Sequence, residues 1–284
     1  MSGLSQLGPE VIALGAIWYV VFLFSTTCHE GAHALVAKWG GDPTAFEGGQ
    51  VTLNPIPHMR REPFGTIAAP VLSYLLSGGG WMIGWASAPY DPAWQQRHPR
   101  RAAWMALAGP AANFTLMLLA AAGIRAGMAL GYLRAPEVAN YTHITEAVQP
   151  GGGAAFAATL LSIAFMLNLV LGTFNLLPVP PLDGNSAVTL LMGRSTALKF
   201  MDWTRTSGYG MLGLIVAWFV YGRIFNYIFP TGKVEVLVED YKNDYKIYVR
   251  DNGKGILDAA SVSEANRCVR LRQLSPQQTA RGKT

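Results

Sequence analysis

Five apolar runs shape this chain, at about residues 11–37, 64–88, 102–133, 154–177 and 207–229. Each is at least as long as the roughly 20 residues a helix needs to cross a bilayer. Hydrocarbon offers the backbone no hydrogen-bond partners, so such runs fold as helices that satisfy their own N–H and C=O groups. The pattern predicts an all-α polytopic membrane protein, a helical bundle with about four or five membrane segments. Composition supports this: of 284 residues 51% are hydrophobic and 14% charged, where soluble domains carry about 25% charged. The 31 glycines and eight tryptophans agree, since membrane helices tolerate Gly and gather Trp at their interfaces. The net charge of +5 sits mainly in short loops and the tail, which reads as a topology signal and predicts no nucleic-acid partner. Cys28 and Cys268 lie in different regions and form neither a disulfide framework nor a zinc-ribbon pair. The first residues lack the basic start of a cleavable signal, so the first apolar run is expected to be retained.

The connections differ in kind. Residues 42–62 hold turn residues and an extended-looking "QVTL", predicting a small membrane-associated strand or hairpin. Residues 185–206 predict one interfacial amphipathic helix, with Leu190, Leu191, Leu198, Phe200 and Met201 set against Arg194, Lys199 and Arg205. From 231 to 284 the chain turns polar and charged. That tail predicts a short β-hairpin turning at Asn243–Asp244, a plain Asn-Gly turn in "DNGKGI" (Asp251–Ile256), and disorder from about Ser261. The expected division is therefore an intramembrane domain over 1–230 and a polar tail over 231–284.

The chemistry begins where the first run ends, in "HEGAH" at 29–33. His29 and His33 are four apart and share a helix face, where two imidazoles can hold one metal ion. Glu30 beside them is placed to act as a base toward water. Idle polar groups at the end of an apolar helix are expensive, which favours function over a chance match. A catalytic zinc site needs a third protein ligand and an open position. His98 and His143 stand in loops without a supporting pattern, and His58 after the Asn54–Pro55 turn remains a candidate. Asp183 is better placed, in "FNLLPVPPLDGN" directly after the fourth run. There Pro178, Pro180 and Pro181 break the helix and free backbone groups, which is tolerated at membrane depth only beside protein or a wet cavity.

With "LNPIPH" at 53–58, "LAGPAANF" at 107–114 and "NLLPVPPLDG" at 175–184 following in order, the chain resembles the site-2 protease family of intramembrane zinc metalloproteases over roughly 10–230. It is most similar to the compact bacterial branch without PDZ or CBS domains. The resemblance implies His29, His33 and Asp183 as ligands of one Zn2+ per chain, Glu30 as catalytic base, and Asn175 near the site to steady substrate or an oxyanion. It also implies a multi-pass protein of the bacterial inner membrane acting on membrane-spanning protein substrates. One departure stands out: relatives often place an acid after the His58 position, where this chain reads Met59–Arg60–Arg61. "LAGPAANF" is read as a packing device, its small residues admitting a neighbouring helix.

Parity constrains the topology. Lys38, Arg60 and Arg61 put the end of the first run on the inner side. Runs 102–133 and 154–177 then cross outward and inward, so Asp183 meets the histidines only if 64–88 enters and leaves on one face. A single crossing there would separate them by about 30 Å. Gly78–Gly79–Gly80 offers the bend, and 64–88 is expected to be re-entrant. The competing class of function is a non-catalytic metal-binding membrane transporter or sensor. Glu30 argues against it, because a binding site has no need of a non-ligating base.

Overall fold

A computed structural model describes residues 8–137, 139–208, 210–228, 235–241, 244–250 and 256–258. The chain divides into two compact units, 1–230 and 231–284. In chain order the first comprises α1 (Pro9–Trp39), α2 (Thr44–Glu47), α3 (Pro55–Arg61), a π-helical turn (Phe64–Ala68) leading into α4 (Ala69–Leu76), and α5 (Pro92–Arg97). There follow α6 (Pro99–Ala129), β1 (Leu133–Arg134), β2 (Glu146–Ala147), α7 (Gly152–Asn175), α8 (Asp183–Ala187), a 3₁₀ turn (Val188–Leu191), α9 (Arg194–Thr206) and α10 (Gly210–Ile228).

Among the described residues three helices, α1, α6 and α7, are long and apolar enough to cross a membrane, and Phe64–Leu76 and Leu212–Ile224 are shorter apolar helices. The three pack as a bundle in which α6 runs antiparallel to both neighbours. The end of α1 meets the start of α6, where His33 Nδ1 reaches the Met105 carbonyl. Farther along, Gly123 of α6 lies against Leu161 of α7, and Phe114 lies against Gly172. The polarity is inverted relative to a protein dissolved in water. Ser25, Asn113, Ser162 and Asn168 are at most 1% exposed, whereas Val20, Leu118, Leu119 and Phe156 are 56–63% exposed. Polar groups inside and a continuous apolar exterior are stable with lipid as the solvent. This is a helical membrane protein.

Residues 64–88 fold back on themselves. The π-helical turn and α4 run toward the start of α1, where the Tyr74 hydroxyl donates to the Val11 carbonyl at 2.7 Å. The chain then turns at Gly78 and Gly79, both with positive φ. It returns without helix, and Trp85 N–H donates to the Gly65 carbonyl at 3.0 Å. Tyr74 and Met82 bury themselves with Trp18, Val21 and Phe22 of α1 and Ile163 and Leu167 of α7, so the hairpin is part of the core. The expected re-entrant form is present, and α6 is one unbroken helix.

Other expectations need correction. "QVTL" is not a strand: residues 50–53 form an irregular bend, and the small two-stranded sheet instead pairs Leu133 with Ala147 and Arg134 with Glu146. The Gln50–Leu53 backbone is drawn against α1 by Gly31, over which the Thr52 carbonyl sits. That contact and the Asn54 cap on Ile56 N–H replace strand pairing. The single interfacial helix expected over 185–206 is broken at Gly193, whose extended backbone starts α9.

In the second unit β3 (Glu235–Tyr241), β4 (Asp244–Arg250) and β5 (Ile256–Asp258) form an antiparallel sheet in that order. Asp244 of the expected Asn243–Asp244 turn belongs to β4 and pairs with Tyr241, and residues 242–243 lie outside the described residues. Residues 251–255 of the Asn-Gly turn and the tail beyond Asp258 lie outside the described residues.

Candidate metal centre

α1 carries His29, Glu30 and His33, all buried. The Pro178–Pro181 break, with a cis Pro180–Pro181 bond, ends in an extended Leu182 that delivers Asp183 as the first residue of α8. Since α8 packs on α6, the carboxylate comes to the histidines. Asp183 Oδ2 lies 3.1 Å from His29 Nε2 and Oδ1 lies 3.3 Å from His33 Nε2. The two Nε2 atoms are 3.0 Å apart. Among the described residues this is the His/Cys/Asp/Glu group that could hold a metal ion.

The outer nitrogens settle the proton positions. His33 Nδ1 lies 2.7 Å from the Met105 carbonyl, which only accepts, so Nδ1 carries the proton. His29 Nδ1 lies 2.6 Å from Asn113 Oδ1, also an acceptor. In the neutral rings both Nε2 atoms therefore turn lone pairs toward each other and toward a carboxylate. Such a convergence is repulsive unless a cation sits within it. Ligand atoms about 2.0–2.1 Å from a tetrahedral zinc stand about 3.3–3.4 Å apart, near the 3.0 Å between the two Nε2 atoms and the 3.1 and 3.3 Å from them to the two carboxylate oxygens. The donor set fits a divalent ion, and two imidazoles with one carboxylate suit zinc.

α6 forms the floor of this site. A Cβ on Gly109 would fall onto His29 Nε2 and His33 Nε2, so the two nitrogens converge here because that residue has no side chain. Gly109 lies about 15 Å along α6 from Pro99, at 1.5 Å per residue. "LAGPAANF" thus does more than admit a neighbouring helix: Gly109 borders His29 and His33, and Asn113 Oδ1 lies 2.6 Å from His29 Nδ1. Reading the motif as packing missed this. The signal was available, because an Asn inside a membrane-length apolar run merits the same suspicion as a His there, and Asn168 in the next run is its partner.

Glu30 stands next to His29 in the chain, and the other candidates are not part of the cluster. The Glu30 carboxylate is buried and, among the described residues, makes no hydrogen bond or ion pair with the protein. Asn175 ends α7 and donates to the Leu171 carbonyl at 3.0 Å; no hydrogen bond joins it to the ligand cluster. His58 is buried with Nε2 3.3 Å from the Thr52 carbonyl and is not in the cluster. His98 sits between α5 and α6, and His143 pairs with Asn140 in an exposed loop.

A profile of peptidase family M50 matches residues 17–216, which take in every one of these site positions. The chain belongs to peptidase family M50. This M50 peptidase is accordingly a metalloprotease of the site-2 protease family, a zinc-dependent group. It is 33% identical over 200 residues to "Putative zinc metalloprotease YwhC" of Bacillus subtilis (strain 168), covering 69% of this chain and 77% of the relative. It is 32% identical over 188 residues to "Putative zinc metalloprotease Rip2" of Mycolicibacterium smegmatis, covering 65% of this chain but only 59% of the relative. No solved structure matches the M50 peptidase significantly.

Proposed function

We propose that this M50 peptidase is an intramembrane endopeptidase of the bacterial inner membrane that hydrolyses peptide bonds of membrane-spanning proteins with one zinc ion per chain. The observation that carries the reading is the convergence of two imidazole lone pairs and one carboxylate 3.0–3.3 Å apart inside the helix bundle, beside an unpaired buried glutamate. His29, His33 and Asp183 hold the ion. Zinc, when bound, supplies Lewis acidity, lowering the pKa of a water to about 7 and polarising a carbonyl.

The chain's own groups do the rest. Glu30 takes the proton from the attacking water and passes it to the leaving amine. Its lack of a protein partner leaves both carboxylate oxygens free for this. Asn175 spends one amide hydrogen on Leu171 and keeps a second, which suits it to steady the substrate backbone or the oxyanion. The helix break at Pro178–Pro181 exposes backbone next to Asp183, where a locally unwound substrate can pair its own freed groups. A transporter or sensor would have no use for the unpaired Glu30.

Cells carrying wild type and Glu30→Gln are the test. The variant should keep zinc, lose cleavage by about 10²–10⁴-fold, and accumulate uncut membrane-protein fragments. Normal turnover in Glu30→Gln would end the assignment.

A further inference from the structure

Three polar side chains in the bundle interior belong to no ligand set, yet they form an unbroken line to one. Asn113 Nδ2 donates to Asn168 Oδ1 at 2.8 Å. Asn168 Nδ2 donates to the Ala164 carbonyl at 2.8 Å and to Ser25 Oγ at 2.9 Å. Asn113, Asn168 and Ser25 are each at most 1% exposed, and they come from α6, α7 and α1.

The line has a direction, and a backbone atom sets it. The Ala164 carbonyl can only accept, so the Asn168 amide nitrogen must face it. Asn168 Oδ1 then faces Asn113 and requires its NH2 group. That turns Asn113 Oδ1 to His29, and an oxygen there requires a proton on His29 Nδ1. Without a partner on Nδ1 a neutral imidazole is free to carry its proton on Nε2, the atom aimed at Asp183 and His33. His33 needs no such chain, because its Nδ1 meets a backbone carbonyl directly.

We propose that Asn113 is a positioning residue of the metal centre, holding His29 as the Nδ1–H tautomer with its Nε2 lone pair on the ion, and that Asn168 anchors Asn113. The inference rests on the ligand set proposed above. Removing a ligand's outer hydrogen-bond partner typically weakens metal binding about 10–100-fold. Asn168 acts through Asn113, so its loss has the smaller effect of the two.

The test uses the full chain purified in detergent, with zinc affinity measured by competition against a chromophoric chelator. Thermal midpoints of the zinc-free proteins are recorded alongside. Asn113→Leu should bind zinc about 10–100-fold more weakly, and Asn168→Leu should shift the same way by less, with zinc-free midpoints near wild type. In zinc-loaded wild type, ¹⁵N-histidine NMR should report His29 protonated at Nδ1 and metal-bound at Nε2; this readout decides the matter even where a variant does not fold. Metal on Nδ1 of His29 overturns the proposal. So does wild-type affinity in Asn113→Leu when Asp183→Ala has lost its zinc. Zinc retained in full by Asp183→Ala would instead strike the ligand set itself, which separates the two failures.

Discussion

The Ser87 hydroxyl donates to the Glu62 carboxylate at 2.6 Å, joining a residue two positions before the re-entrant segment to one at its end. Arg61 Nε adds a second tie to the Ser87 carbonyl at 3.0 Å. A few residues on, Asp91 N–H donates to Asp42, just beyond α1, at 2.8 Å. Both ends of the hairpin are therefore at the C-terminal end of α1, and the chain gains no crossing between α1 and α6. Single cysteines at the exposed positions Arg60 and Gln96, with Cys28 and Cys268 replaced, should react with a membrane-impermeant thiol reagent from one and the same face. By the positive-inside rule, Arg60, Arg61, Arg97, Arg100 and Arg101 predict that face to be the inner one. Labelling from opposite faces would refute the arrangement.

Gly109→Ala places a methyl where the two Nε2 atoms converge. Forcing a methyl into a close-packed site costs about 1–3 kcal/mol, so zinc affinity should fall roughly 5- to 150-fold by the tenfold-per-1.4 kcal/mol rule. Chelator competition reads this directly. An unchanged affinity would mean that the ion does not occupy the space in front of Gly109.

Asp183→Ala should lose zinc and His58→Ala should keep it, because the structure groups the first with His29 and His33 and leaves the second on the Thr52 carbonyl. Metal content per chain after gel filtration settles the point. The opposite result would make His58 the third ligand.

Asp42 gives the fold an acid-sensitive joint. Burial alone would raise its pKa, but hydrogen bonds from the Thr44 hydroxyl, Asp91 N–H and Thr44 N–H outweigh that and hold it below the ordinary carboxylate value. A depressed folded pKa contributes stability that is complete above the unfolded value, about 3.9, and is lost as pH falls through the lower folded value. Asp42→Asn turns an amide NH2 against one of these donors and should cost about 1–3 kcal/mol at neutral pH. Thermal unfolding in detergent should show the gap from wild type closing as pH drops below about 4. A gap independent of pH would show that the carboxylate charge contributes nothing.

Much of this protein was determined by the linear order of its residues. Long uncharged runs impose helices because hydrocarbon leaves the backbone no other partner. The i, i+4 spacing of His29 and His33 puts two imidazoles on one face whatever the rest of the chain does, and the parity of the crossings required 64–88 to turn back. What sequence order could not decide was everything that depends on which atoms meet across helices. Whether "QVTL" pairs as a strand depended on Gly31 presenting a bare helix surface to it. That Gly109 rather than another small residue borders His29 and His33 depended on the depth at which α6 crosses α1. The roles of Asn113 and Asn168 arose only when three helices brought an amide chain to the back of His29. Periodicity is a property of one helix, whereas a hydrogen-bond direction between helices exists only once their axial register is set, and tertiary packing sets it.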